Sequence, residues 1–224
     1  MANTYFSPEV FTFFRQLAQN NNREWFAKNK LRYEQRVRDP ILRFISDFGP
    51  RLTKISPHLL ADARPSGGSL FRIYRDTRFA RDKSPYKIHL GAHFFHESAK
   101  KAPSVPGFYL HIQPGESFAA AGIWHPDPAA LGRVRDAIAS DSKEWKVVRR
   151  SKLPIEGGSL KRPPKGYPAD HPFIDDLKRT DFVTSVRLSE RELCSATFLA
   201  DFTAACRTMS PLVKFVTQAQ GLPW

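Results

Sequence analysis

Gly107-Phe108-Tyr109-Leu110-His111-Ile112-Gln113-Pro114-Gly115-Glu116-Ser117-Phe118-Ala119-Ala120-Ala121-Gly122-Ile123-Trp124 is the stretch that decides the fold. Its first half alternates, with Phe108, Leu110 and Ile112 on one strand face and Tyr109 and His111 on the other. Pro114-Gly115 is a type II turn pair, because proline presets φ at the first central position and glycine accepts positive φ at the second. Phe118 to Trp124 is then the return strand of a hairpin. Ala119, Ala120, Ala121 and Gly122 make that strand thin. Either a helix packs closely on it or it floors a pocket; close packing is the preferred expectation.

Outward from the hairpin, the regions near 70–74, 88–95 and 182–188 also read as strands. The first sixty residues read as helices. Ser7-Pro8-Glu9 starts one that carries Val10, Phe13, Phe14 and Leu17 on one face. Asn22 caps a second with Trp25, Phe26 and Tyr33. Asp39-Pro40 restarts a third with Ile41, Phe44, Ile45 and Phe48, and Pro57 opens a short fourth. After the hairpin, a helix from about Pro128 carries Leu131, Val134 and Ile138. Asp141 with Glu144 resembles a capping box for a helix with Trp145 and Val148. Residues 151–169 form a long basic loop, and Pro172 opens a short helix with Ile174 and Leu177. Ser189-Glu190-Arg191-Glu192 is a capping box for a helix whose Leu193, Phe198, Phe202 and Cys206 face the core. Ser210-Pro211 begins the last helix, stopped near Gly221. The pattern predicts an α+β fold: a mainly antiparallel sheet flanked by N-terminal and C-terminal helices. Residues 1–224 are expected to form a single domain, with a helical segment at 1–60, a sheet-containing core at 70–188 and C-terminal helices at 189–224.

The totals support a packed core and a basic surface. Among 224 residues, 41% are hydrophobic and 25% charged, with 18 Phe and a formal net charge of +13. That balance favours anionic partners, among them nucleic acid and phosphorylated small molecules. Cys194 and Cys206 are read on one helix, where twelve residues at ~1.5 Å each would hold them ~18 Å apart, too far for a disulfide. A reducing compartment follows. Met1 to Glu9 has no apolar run of the signal-peptide kind, and no stretch approaches the ~20 apolar residues of a spanning helix. The expectation is a cytoplasmic protein with no membrane partner; nothing in the sequence sets its oligomeric state.

Function concentrates between Phe71 and Gly91. This segment holds six Arg or Lys residues and two Asp, a formal charge of 6 − 2 = +4. Tyr74, Phe79 and Tyr86 sit between cations. Guanidinium forks bind oxygens in pairs and ring faces bind flat groups, so the residue types suit anion capture. No nucleophile, base and oxyanion device stand at a catalytic spacing. Gly67-Gly68 and Gly157-Gly158 lack the flanking pattern of a phosphate loop.

Arg72-Ile73-Tyr74-Arg75-Asp76-Thr77-Arg78-Phe79, followed by Asp82-Lys83-Ser84-Pro85-Tyr86-Lys87, resembles an uncharacterised family of bacterial and fungal proteins catalogued as domain of unknown function 2461. Asn21-Asn22-Arg23-Glu24-Trp25-Phe26, the Gly107–Ile112 hairpin arm, Gly122-Ile123-Trp124, Pro164-Lys165-Gly166 and Asp170-His171-Pro172 carry the same resemblance along nearly the whole chain. Such proteins often have Ser where this chain has Ala80, so a nucleophile at that position is not expected. The resemblance implies a single-domain member and no established activity.

The leading expectation is a basic Arg/Tyr-rich site for an anionic, phosphate-bearing ligand, a nucleic acid or a nucleotide. Arg72, Arg75, Arg78, Lys83 and Lys87 would supply charge, and Asp76 and Asp82 would orient the arginines. Tyr74, Tyr86 and Tyr109 would stack or offer a hydroxyl, and Lys165 in the second basic loop would follow a phosphate. The alternative is an enzyme acting on a small anionic substrate, with His111, His171 and Asp170 as acid–base groups. A third reading is a structural or partner-binding protein whose arginine motif staples the fold. No cofactor is called for. A metal held by His111, His171 and an Asp has no local spacing to support it.

Overall fold

The computed structural model describes residues 4–100, 105–140, 142–151 and 153–224. Four strands, β1 (Leu90–Phe95), β2 (Gly107–Ile112), β3 (Phe118–Ile123) and β4 (Phe182–Arg187), form one antiparallel sheet in the order β1-β2-β3-β4. Glu116 N–H bonds to the Gln113 carbonyl at 3.1 Å and Gly115 has φ +76°, which is the type II turn that Pro114-Gly115 encodes. The fold is α+β, with helices at both ends of the chain.

The helices before the sheet are α1 (Pro8–Gln19), α2 (Arg23–Lys28), α3 (Lys30–Tyr33) and α4 (Asp39–Thr53). Asn22 caps α2 by accepting the Trp25 N–H at 2.9 Å. Asp39-Pro40 opens α4 as expected, but without a break in the chain's helical course: α3 runs into α4 through a π-helical turn at Glu34–Arg38. Proline lacks an N–H and its ring crowds the carbonyl four residues back, and the wider turn relieves both conflicts. Pro57 opens no helix; residues 57–58 form a turn.

Between β3 and β4 lie α5 (Pro128–Ser140), α6 (Ser142–Arg150) and α7 (Ile174–Leu177). The expected Asp141 cap lies outside the described residues. The Ser189–Glu192 capping box is present, but it starts only the single turn α8 (Glu190–Leu193). The long helix α9 (Phe198–Ala219) follows separately and passes through Ser210-Pro211 without a break. The reason is local: Pro211 cannot donate to the Arg207 carbonyl, and the Ser210 hydroxyl donates to it instead at 2.7 Å. Cys194 ends α8 and Cys206 lies in α9, so the two free cysteines are on different helices.

One sheet face is the core. Phe94, Phe108, Leu110, Ala119 and Ala121 are buried there with Phe44 and Phe48 of α4 and Phe198 and Phe202 of α9. Phe48 meets Phe94 edge-on at 4.7 Å and Phe202 at 5.0 Å. Truncating a fully buried Phe of this kind costs ~3–5 kcal/mol. A second cluster gathers Ile123, Val134, Trp145, Leu177, Phe182 and the C-terminal half of α9. Its buried Trp145 indole donates to Asp176 at 2.8 Å, so the polar edge of the ring is satisfied.

Both sheet edges are covered. Outside β1, residues Leu59 and Leu70 make single bridges to His96 and Ala92, and Phe71 N–H bonds to the Gly91 carbonyl at 2.9 Å. The region 70–74 is therefore a pair of isolated bridges and not a regular strand. Outside β4, Glu156 bridges Val183. These short segments take up edge hydrogen bonds that would otherwise invite another chain.

Candidate functional site

The other sheet face is open. It carries a groove of about 800 Å³ whose walls include Phe71, His93, Phe95, Tyr109, Phe118, Trp124, Glu156 and Ser185. Its floor explains the thin return strand. Ala119 and Ala121 are buried with α9 on the core side, while Ala120 and Gly122 line the groove. Close helix packing and pocket floor thus occur together on alternate residues. Gly122 has φ +125°, and a Cβ there would stand 2.0 Å from the Phe182 carbonyl oxygen, so only glycine fits. At Gly107 a Cβ would meet the Phe94 carbonyl oxygen at 2.4 Å and His93 Nε2 at 2.8 Å. The missing side chain makes room for the His93 ring over β2.

The arginine motif divides into two sets. Arg75 donates to both Asp82 and Ser84, and the Asp82 carboxylate also accepts the Ser84 N–H. Arg78 holds Asp76 at 2.7 Å, and Lys83 reaches the Thr77 carbonyl at 2.9 Å. These contacts fasten the loop to itself, and Arg75 N–H to Pro85 O with Lys87 N–H to Ile73 O closes its base. The Arg75 guanidinium holds the Asp82 carboxyl well below the usual carboxylate range. Phe79, 96% exposed, sits in the loop with Arg78 beside its ring.

Arg72 and Lys87 form the second set: among the described residues neither makes an ion pair with a carboxylate. Lys87 lies over the Phe71 ring at 5.3 Å, and Phe71 is also a groove wall, 5.9 Å from Tyr109. Burial, and then the Arg72 charge, lowers the Lys87 pKa. His89 is pushed down to about 4, first by burial and then by His111, Lys87 and Arg75. His111 is lowered by burial. Arg72, Lys87 and His89 thus crowd one another beside Phe71, so each disfavours the charge of its neighbours.

Tyr109 and His111 share the open face as their alternation predicts. The Tyr109 hydroxyl is 3.2 Å from His111 Nδ1, and His111 Nε2 is 3.1 Å from Gln113 Oε1. The Gln113 oxygen only accepts, so His111 carries its proton on Nε2 and Tyr109 donates to Nδ1. Both ring nitrogens are occupied. Burial raises Tyr109 to about 12, which keeps its hydroxyl protonated. His93, pushed down to about 4 by burial, stands neutral in the groove wall against Phe71 and Phe95.

The remaining expected site residues lie elsewhere. Tyr86 is buried and stacks on Phe26 at 4.1 Å, and Tyr74 packs 5.4 Å from Tyr86. His171 precedes α7 and accepts the Phe173 N–H at 3.1 Å; neither it nor Asp170 is in the groove wall. Lys165 is exposed in the basic loop, whose Tyr167 is tied to Asp136 of α5 at 2.7 Å. Among the described residues no three His, Cys, Asp or Glu side chains gather as a metal site, and no helix is long and apolar enough to cross a membrane. Sequence reasoning missed Phe71, His93, Trp124, Glu156 and Ser185 as groove residues. The run of small residues from Ala119 to Gly122, with its pocket-floor alternative, was the one signal that pointed there.

Neither a curated protein nor a solved structure matches this chain. Residues 9–215 match the family described as conserved hypothetical protein (DUF2461), and the chain belongs to that family.

Proposed function

We propose that this protein binds a nucleotide in the open-face groove, with the flat base among the aromatic walls and the phosphate at Arg72 and Lys87. The observation that carries the reading is the double role of Phe71. One ring borders the apolar groove and carries the Lys87 ammonium 5.3 Å away. An apolar body and an anion held together in one ligand match that junction, and an anion there relieves the crowding of Lys87, Arg72 and His89. Coverage of both sheet edges favours a small ligand over a long nucleic acid, which needs an open track for its backbone.

Catalysis by the histidines finds less support. His111 has both nitrogens engaged, and Asp170-His171 is absent from the groove wall. The stapling role belongs to the other half of the motif, Arg75 and Arg78 with their aspartates.

Isothermal titration with 5′-nucleotides and the matching nucleosides tests the proposal. Nucleotides should bind more tightly than nucleosides, and the difference should shrink with salt and vanish in the Arg72→Ala/Lys87→Ala variant. Equal binding of nucleotide and nucleoside, or no binding of either, would overturn it.

A further inference from the structure

The groove is chemically different at its two ends. Arg72 and Lys87 lie beside Phe71 at one end. At the other stand Trp124, 62% exposed, and Glu156, the one acidic side chain among the described groove walls. Glu156 is fixed at the margin of β4, where its N–H bonds to the Val183 carbonyl at 2.7 Å. Both carboxylate oxygens lie within reach of the Ser185 hydroxyl, at 2.9 and 3.0 Å. A hydroxyl has one hydrogen to give, whereas a carboxylate has about four acceptor positions. Most of that accepting capacity is left for something else in the groove.

We infer that the groove selects guanine nucleotides, the base stacking on Trp124 and presenting adjacent N–H donors to the Glu156 carboxylate. The inference rests on the nucleotide reading and adds the identity of the base. A carboxylate binds best to two parallel N–H groups, and guanine offers the ring N1–H beside its amino group. Adenine offers its amino group beside a ring lone pair, which the second carboxylate oxygen repels. Uracil flanks its single N–H with two carbonyls. Every base has a flat face that stacks on an aromatic ring, so Trp124 supplies affinity and Glu156 supplies choice.

The dimensions agree. Phe71 reaches over β1 toward Tyr109, and the Glu156 carboxylate stands over Ser185 of β4. Three strand spacings at ~4.8 Å separate those positions by about 14 Å. A nucleotide laid across the sheet with a hydrogen bond at each end has that length.

Binding of GMP, IMP, AMP and UMP to the wild type, Glu156→Gln and Trp124→Leu tests the inference, with circular dichroism melts to show that each variant is folded. GMP should bind about ten-fold or more tighter than AMP or UMP, with IMP between. Glu156→Gln should weaken GMP and strengthen AMP, since the amide N–H donates to the adenine ring lone pair that the carboxylate repels, so the guanine preference is lost, while Trp124→Leu weakens all four. Equal binding of the four nucleotides, or a guanine preference that survives Glu156→Gln, overturns the guanine inference and leaves nucleotide binding standing. Failure of all four to bind the wild type overturns both.

Discussion

The Asn21 carboxamide grips the main chain of Tyr86 at two points: its Nδ2 donates to the Tyr86 carbonyl at 2.9 Å, and its Oδ1 accepts the Tyr86 N–H at 3.1 Å. The two residues are 65 positions apart. A side chain just before α2 thereby completes the hydrogen bonding of the basic loop as a neighbouring strand would. Asn21→Ala leaves both main-chain groups unsatisfied beside the buried Tyr86–Phe26 stack, at ~1–3 kcal/mol for each group. Urea denaturation should show a loss of ~2–6 kcal/mol for the two groups together, and Asn21→Asp, which keeps only the acceptor, should fall between. A midpoint for Asn21→Ala equal to wild type would refute the anchoring role.

Two glycines should tolerate no side chain and a third should welcome one. Gly122→Ala combines φ +125° with a Cβ 2.0 Å from the Phe182 oxygen, and Gly107→Ala puts its Cβ 2.4 Å from the Phe94 oxygen. Backbone cannot step aside cheaply, so both variants should lose ~2 kcal/mol or more. Gly132 lies inside α5 with open space at its Cβ position. Gly132→Ala should raise stability by ~0.5–1 kcal/mol. Thermal melts of the three variants side by side decide the matter.

Stability should fall in mild acid before the carboxylates titrate. His89 and His93 are both pushed down to about 4 in the folded chain, against ~6.5 when unfolded. Between those values the unfolded chain binds more protons, so stability is full above ~6.5 and declines as pH falls toward the folded value. The loss is on the order of 1–3 kcal/mol per ring, less where solvent reaches it. His93→Asn should flatten the profile between pH 7 and 5 relative to wild type, measured by denaturant midpoints. A ligand phosphate near His89 should also favour its protonated form and shift that profile downward.

The hairpin was legible because its signals are local: strict alternation, a Pro-Gly turn and side chains too small to be accidental. The α+β class followed from the same reading. Ser210-Pro211 misled because proline usually starts a helix, and the serine hydroxyl that lets α9 run through it leaves no periodic mark; nor does the π turn that joins α3 to α4 ahead of Asp39-Pro40. The groove was only half legible. Tyr109 belongs to a patterned segment, whereas Phe71 reaches it next to the single Leu70–Ala92 bridge and Glu156 through a single bridge at the opposite sheet edge. That meeting depends on tertiary pairing between segments far apart in sequence. Within the arginine motif, charge alone could not separate the cations that fasten the loop from those left at the groove.

That separation makes a final prediction, because Arg75 and Arg72 are three residues apart with different duties. Arg75 serves Asp82 and Ser84 inside the loop, whereas Arg72 makes no ion pair within 4 Å among the described residues and acts on Asp76 only at longer range. Arg75→Ala should lower the melting temperature and weaken binding only in step with that loss. Asp82→Asn should reproduce it, since the depressed carboxyl of Asp82 stays ionised, and its pairing intact, until pH falls far below the ordinary carboxylate range. Arg72→Ala should melt like wild type and lose about ten- to hundred-fold in nucleotide affinity, the worth of one charge-assisted hydrogen bond. Paired melts and titrations on the three variants read both quantities. Unfolding by Arg72→Ala, or full stability with lost binding in Arg75→Ala, would reverse the assignment and move the phosphate site into the loop.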